Sequence, residues 1–277
     1  MLISWNISLV SLSVLVAMIG SFAALTHAQR MRECDGRMMA TLWMLAGCCT
    51  LGVAIWSMHF IGMLAMRLPI TIAFDQTLTF ISVVPAVVAA LLSFAVLRTT
   101  NIGYSHIAVS GVLLGAGISV MHYIGMAALK LTPAISYDPL ISASSILVAI
   151  AASWAALLVM YRCERVKLRP LLRFMLAAIM MGLAVSGMHY TAILAAIIQP
   201  DSLCHFDASK IEPHILSTMI SVTVLLWFSG GIFASYFDRR LAKQNAKALA
   251  ELELKHQKLM ADTERLSRDM MQSLRDS

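Results

Sequence analysis

The stretch from Gly115 to Met126 reads Gly-Ala-Gly-Ile-Ser-Val-Met-His-Tyr-Ile-Gly-Met, and its centre, Met121, His122 and Tyr123, recurs twice inside other apolar segments. The copies are Met58, His59, Phe60 and Met188, His189, Tyr190. A glycine stands six residues before each methionine, at Gly52, Gly115 and Gly182, and a serine one or two before it, at Ser57, Ser119 and Ser186. The first two copies also share Gly62 with Gly125 and Met63 with Met126, where the third has Ala192 and Ile193. An ionisable group at membrane depth is costly and normally faces a partner or a cavity. Three imidazoles in equivalent places are therefore read as one site.

Composition puts those segments in a bilayer. The chain is 59% hydrophobic and 13% charged, with a mean hydropathy of +0.79, whereas soluble domains are about half apolar and about a quarter charged. It is an integral membrane protein whose first partner is the lipid bilayer. The net charge of +6 does not indicate nucleic acid, because the basic residues lie between apolar spans instead of on a folded soluble face. The cysteines, Cys34, Cys48, Cys49, Cys163 and Cys204, form no CxxC pair, and only Cys204 falls on the outer side of the topology below. No disulfide framework is expected.

Apolar runs of about 20 residues, enough to cross a bilayer, fall near 5–27, 39–66, 78–98, 104–129, 140–161, 171–199 and 214–237. They are too long and unbroken for barrel strands, so the fold is all-α, with seven transmembrane helices. The odd-numbered connections and the tail hold 18 of the 21 basic residues, and the even ones only Arg67, Lys130 and Lys210. The positive-inside rule then places the N-terminus outside and the C-terminus in the cytoplasm. The first run has no basic residues before it, so it reads as a span and not as a cleaved signal.

His59 and His122 are 63 residues apart, and His122 and His189 are 67. The unit is thus a pair of spans, and three such parallel pairs plus a seventh helix make the bundle. Each histidine lies about 27 to 31 Å along its helix from the cytoplasmic end, at a rise of 1.5 Å per residue, which puts all three at one level near the outer face. The even spans concentrate small residues that permit close helix approach, while stretches such as Val83 to Leu92 are bulkier. The even helices are expected inside and the odd ones toward lipid. The connection from Pro200 to Pro213, with Asp201, Cys204, His205 and Asp207, either caps the site or is a solvated loop.

Two domains follow: residues 1–237 form the seven-span unit, and residues 238–277 a polar cytoplasmic helix. Leu252, Leu259 and Leu266 recur every seven residues, with Leu249, His256, Thr263 and Met270 at the complementary offset. That pattern suggests a parallel coiled coil and a homodimer through this helix; an amphipathic helix on the membrane surface is the other reading.

Imidazole and thioether together suit copper, and imidazole also accepts zinc. The expected metal ligands are His59, His122 and His189 with one or more of Met58, Met121 and Met188. Met63 and Met126 lie four residues after a histidine and share its helix face. Tyr123 and Tyr190 are either supporting donors or ordinary interfacial aromatics, and Phe60 shows the hydroxyl to be dispensable once. Paired histidines can also be haem ligands. A single histidine of this kind can merely donate to a neighbouring helix, and methionine is a common gap filler; repetition at one depth favours a shared site.

The triple motif in a seven-span frame resembles the MHYT domain family, over about residues 5–237. The resemblance implies a bacterial inner-membrane sensory domain with its motifs near the outer face. It implies copper at Met58, His59, Met121, His122, Met188 and His189, and sensing of a diatomic gas such as oxygen, nitric oxide or carbon monoxide. Phe60 departs from the motif, and its fourth position is threonine only at Thr191, with Ile61 and Ile124 elsewhere. Such domains often precede enzymes of cyclic di-GMP turnover. Neither a GGDEF nor an EAL sequence occurs in the chain, so no enzyme activity is expected of it. The competing classes are a metal transporter, against which stand unbroken helices and spans without carboxylates, and a scaffold whose histidines only pack the helices.

Overall fold

The computed structural model describes residues 4–34, 36–68, 70, 72–162, 169–199, 203–204 and 210–275. Its helices are α1 (Ile7–Glu33), α2 (Arg37–Ala65), α3 (Gln76–Ile81), α4 (Val83–Val96), α5 (Tyr104–Ala127), α6 (Pro139–Arg162), α7 (Pro170–Ala195) and α8 (Pro213–Arg275). Among the described residues, seven spans are long and apolar enough to cross a membrane, with α3 and α4 together forming the third. The junction at Ser82 keeps a helical backbone, φ −61° and ψ −22°, with its amide donating to the Leu78 carbonyl at 3.0 Å and its hydroxyl to the Thr79 carbonyl at 2.7 Å, while Pro85 has no amide to offer the carbonyl four residues back. The chain divides into two compact units, Met1–Phe228 and Ser229–Ser277.

In the first unit, α1, α2, α4, α5, α6 and α7 pack in that cyclic order, and α2, α5 and α7 also touch one another. The helices bearing the motif are therefore the inner ones. Their most apolar windows are 50%, 56% and 44% buried, against 33%, 39% and 33% for the first, third and fifth spans. The ring closes through the glycine six residues before each motif methionine. A Cβ at Gly52 would overlap Val87 of α4, one at Gly115 would overlap Ile150 of α6, and one at Gly182 would overlap Met18 of α1. Each inner helix thus packs its backbone against the outer helix of the next pair, as small residues permit.

A second threefold pattern rims the end nearest the histidines. Asn6, Asp75 and Asp138 precede the three outer spans, and their carboxamide or carboxylate oxygens accept first-turn amides, satisfying donors a helix start leaves open. Their own amides donate to the carbonyls of Ala65, Ala128 and Ala195 at 2.9, 2.8 and 2.9 Å, which tie each outer helix to the end of an inner one. Short antiparallel pairs extend the rim: β1 (Ser4–Trp5) with β2 (Met66–Arg67), β3 (Phe74–Asp75) with β8 (Lys210–Ile211), β4 (Leu131–Thr132) with β7 (Leu203–Cys204), and β5 (Ser136–Tyr137) with β6 (Ala196–Ile197). Asp75 also receives Lys130 at 2.8 Å and Lys210 at 3.9 Å. The hydrogen bond from Lys130, with the Leu78 amide and the charge of Lys210, holds its carboxyl below the usual carboxylate range.

In the first unit α8 buries Leu216 and Ile220, and Trp227 Nε1 donates to Thr50 Oγ1 of α2 at 2.9 Å. In the second unit it continues with Leu249, Leu252 and Leu259 exposed in the single chain.

Candidate metal centre

His59, His122 and His189 lie six, five and six residues before the ends of α2, α5 and α7, so at 1.5 Å per residue all three sit about 8 to 9 Å inside the bundle. They are essentially inaccessible, at 0%, 1% and 1% exposure. Their Nδ1 atoms form a nearly equilateral triangle with edges of 3.1, 3.1 and 3.2 Å. The rings meet edge-on, with interplanar angles of 88°, 86° and 81°.

Hydrogen bonding among neutral imidazoles cannot satisfy this cluster. Each ring has one proton, and two protons on Nδ1 atoms this close would collide at the centre. At least two rings must then carry theirs on Nε2, yet the Nε2 atoms of His122 and His189 have no hydrogen-bond partner among the described residues, and that of His59 has only a contact with the Gly125 backbone that falls short of hydrogen-bond geometry. A buried nitrogen left so costs about 1 to 3 kcal/mol. Three Nδ1 atoms within 3.2 Å of one another suit a cation instead. Dividing the mean edge by √3 puts the centre about 1.8 Å from each nitrogen, near a metal–imidazole bond of about 2.0 Å. The residues fit a three-coordinate metal held through Nδ1. Among the described residues, this is the one grouping of at least three histidine, cysteine or acidic side chains with converging ligand atoms.

Close helix approach makes the convergence possible. A Cβ at Gly62 would overlap Nε2 of His189, and one at Gly125 would overlap Nε2 of His59. The glycine three residues after one motif histidine is thus the seat of another repeat's ring. Ala192 holds the equivalent position in the third copy and is fully buried.

The other expected residues are distributed around the triangle. Met58, Met121 and Met188 are buried in one apolar cluster with Leu51, Leu114 and Met181. Met63 and Met126 belong to a second, with Phe60, Phe74 and Trp56. Tyr190 bonds Ser13 of α1 at 2.7 Å and Tyr123 bonds Ser145 of α6 at 3.3 Å; both stack edge-on against their neighbouring histidine. Phe60 does the same against His59 without needing a hydroxyl partner. Asp201, His205 and Asp207 lie outside the described residues. The rim residues Asn6, Asp75 and Asp138 were not singled out in the sequence, although their place before the apolar runs is a helix-start signal.

The architecture defines a multi-pass membrane protein whose three helix pairs converge on one buried polar site. Two segments, residues 52–110 and 115–172, match the family model for MHYT, the bacterial signalling protein N-terminal repeat. Each begins at a ring-closing glycine. The chain is 38% identical over 86% of its length to the bifunctional diguanylate cyclase/cyclic di-GMP phosphodiesterase MucR of Pseudomonas aeruginosa, covering 35% of that protein. It is 32% identical over 70% of its length to the cyclic di-GMP phosphodiesterase NbdA of the same species, covering 25% of it. It is 28% identical over 88% of its length to the signaling protein YkoW of Bacillus subtilis, covering 31%. The chain belongs to the MHYT family and corresponds to about a third or less of the length of these relatives. No solved structure matches it.

Proposed function

We propose that this chain is a copper-dependent membrane sensor that detects a diatomic gas, oxygen, nitric oxide or carbon monoxide, or a change of redox state, and relays it to a cyclic di-GMP enzyme. The observation that carries the reading is the buried triangle of Nδ1 atoms from His59, His122 and His189. Bound copper would supply a redox-active centre with room for a further ligand. Zinc or haem is the alternative occupant, and Met58, Met121 and Met188 are the proposed additional donors.

The chain's own residues supply selection and relay. Gly62 and Gly125 admit the rings, and the apolar clusters on both sides exclude water. Each histidine sits on a different inner helix, so a change in how tightly the three are held alters the mutual packing of α2, α5 and α7. Thr50, nine residues before His59 on α2, receives the Trp227 indole of α8, which gives α2 a direct hold on the helix proposed to carry the output. The signal must favour one arrangement over another, since a ligand without differential affinity shifts nothing. In this reading the histidine end faces the periplasm, the tail is cytoplasmic and dimerises through its heptads, and the membrane is the bacterial inner membrane.

The test is metal content and visible spectrum of the purified protein beside the triple variant His59→Ala, His122→Ala, His189→Ala. Near-stoichiometric copper in the wild type and none in a folded triple variant is expected, followed by a spectral change under carbon monoxide. Copper retained by the triple variant would overturn the site. A metal-free wild type, with the triple variant unfolding in detergent, would instead assign the histidines to helix packing, a reading that the interlock of Gly62 with His189 favours.

A further inference from the structure

The opposite end of the bundle carries a cavity of about 480 Å³ lined by residues of α1, the α4–α5 connection and the end of α6, among them Arg32, Thr100, Asn101, Gly103, Tyr161 and Arg162. Its polar groups point to an anion. Among the described residues neither Arg32 nor Arg162 has a carboxylate partner. Arg162 lies over the Tyr104 ring, 4.2 Å from its centroid, which orients the guanidinium while leaving its buried Nε without a hydrogen bond. The Tyr161 hydroxyl is likewise buried and unpartnered. Arg32 is pinned by Nη1, which donates to the carbonyls of Leu97 and Thr99 at 2.7 and 2.8 Å. Gly103, the residue before α5, also lines the wall, its amide already donated to His106 Nδ1 at 3.1 Å.

Two guanidinium groups and a buried hydroxyl form a receptor for phosphate, which arginine binds through two parallel hydrogen bonds. We propose that this cavity binds the phosphate of an anionic phospholipid such as phosphatidylglycerol. Its location selects lipid over a soluble phosphate. The cavity lies where three membrane-spanning helices leave the apolar zone, with Ile102 and Met160 in its wall, and basic pockets between spans at this level are suited to headgroups. The site is remote from the histidine triangle along the bundle, so it stands or falls independently of the metal.

Native mass spectrometry of the full chain, released from nanodiscs of phosphatidylcholine with and without phosphatidylglycerol, tests the assignment. The wild type should retain phosphatidylglycerol in preference to phosphatidylcholine. Arg162→Gln removes a guanidinium whose buried Nε has no hydrogen-bond partner among the described residues and should weaken retention by about tenfold. Tyr104→Ala, at a residue 65% exposed and so compatible with folding, should weaken it by a few-fold by freeing the guanidinium. Equal retention of the two lipids, or retention unchanged in both variants, would overturn the proposal. Displacement of the lipid by inorganic phosphate or glycerophosphoglycerol at matching concentration would overturn the lipid assignment and make the cavity a site for free anions.

Discussion

At the scale of single residues, the centre depends as much on what is missing from two glycines as on three imidazoles. Alanine is a better helix former than glycine by about 1 kcal/mol, so Gly62→Ala and Gly125→Ala would stabilise an ordinary helix. Here the added methyl overlaps the Nε2 of a ring whose Nδ1 is held in the triangle. Each substitution should therefore cost about 1 to 3 kcal/mol, the usual penalty of overpacking, and lower metal content in parallel. Gly230→Ala, where a Cβ would meet nothing within 4 Å, should raise stability by about 0.5 to 1 kcal/mol. Thermal unfolding of the three variants in one detergent checks the contrast. A stabilised Gly125→Ala protein with unchanged metal would show that the ring has space to shift.

Helices and strands act here through their ends. Asp75 does two things at the start of the third span: its carboxylate accepts the Leu78 amide as a cap, and it pairs with Lys130 and Lys210. Asp75→Asn keeps an acceptor for the cap and loses the charge, whereas Asp75→Ala loses both. The alanine variant should be less stable than wild type by about 1 to 2 kcal/mol, and the asparagine variant should fall between. Because the folded carboxyl titrates below its unfolded value of about 3.9, its contribution is complete above that pH and is lost as pH falls through the depressed folded value. The protection factor of the Asp75 amide, whose N–H donates to Ala128, should consequently stay high at neutral pH and fall only in the acid range. The alanine variant should be less protected at both. The capped starts were legible as isolated Asn and Asp residues before apolar runs, but their threefold docking onto Ala65, Ala128 and Ala195 was not. Nothing in a sequence says which carbonyl a helix start will meet.

Over the whole molecule, the question is how a buried triangle reaches a tail. In the proposed dimer, Leu252 and Leu259 of the second unit, 64% exposed each in the single chain, would meet their counterparts on a parallel copy of the same helix. In a protein with its native cysteines replaced, Leu259→Cys should cross-link to a covalent dimer under mild oxidation. Lys258→Cys, on the outer side of the heptad, should not. Equal cross-linking at both positions would indicate collision and not a coiled coil.

Composition, apolar run length and motif spacing by themselves determined the membrane class, the seven spans, the pairing of spans into repeats and the meeting of the three histidines. Each follows from a local cost: apolar length against bilayer thickness, and ionisable groups against hydrocarbon. Only the tertiary structure decided that the histidines meet through Nδ1 and that Gly62 and Gly125 seat rings from other repeats. It alone brought Arg32, Tyr161 and Arg162 to one cavity. Those features arise where the chain closes on itself between residues up to 130 apart, and the identity of such partners is set by helix packing angles that no local pattern encodes.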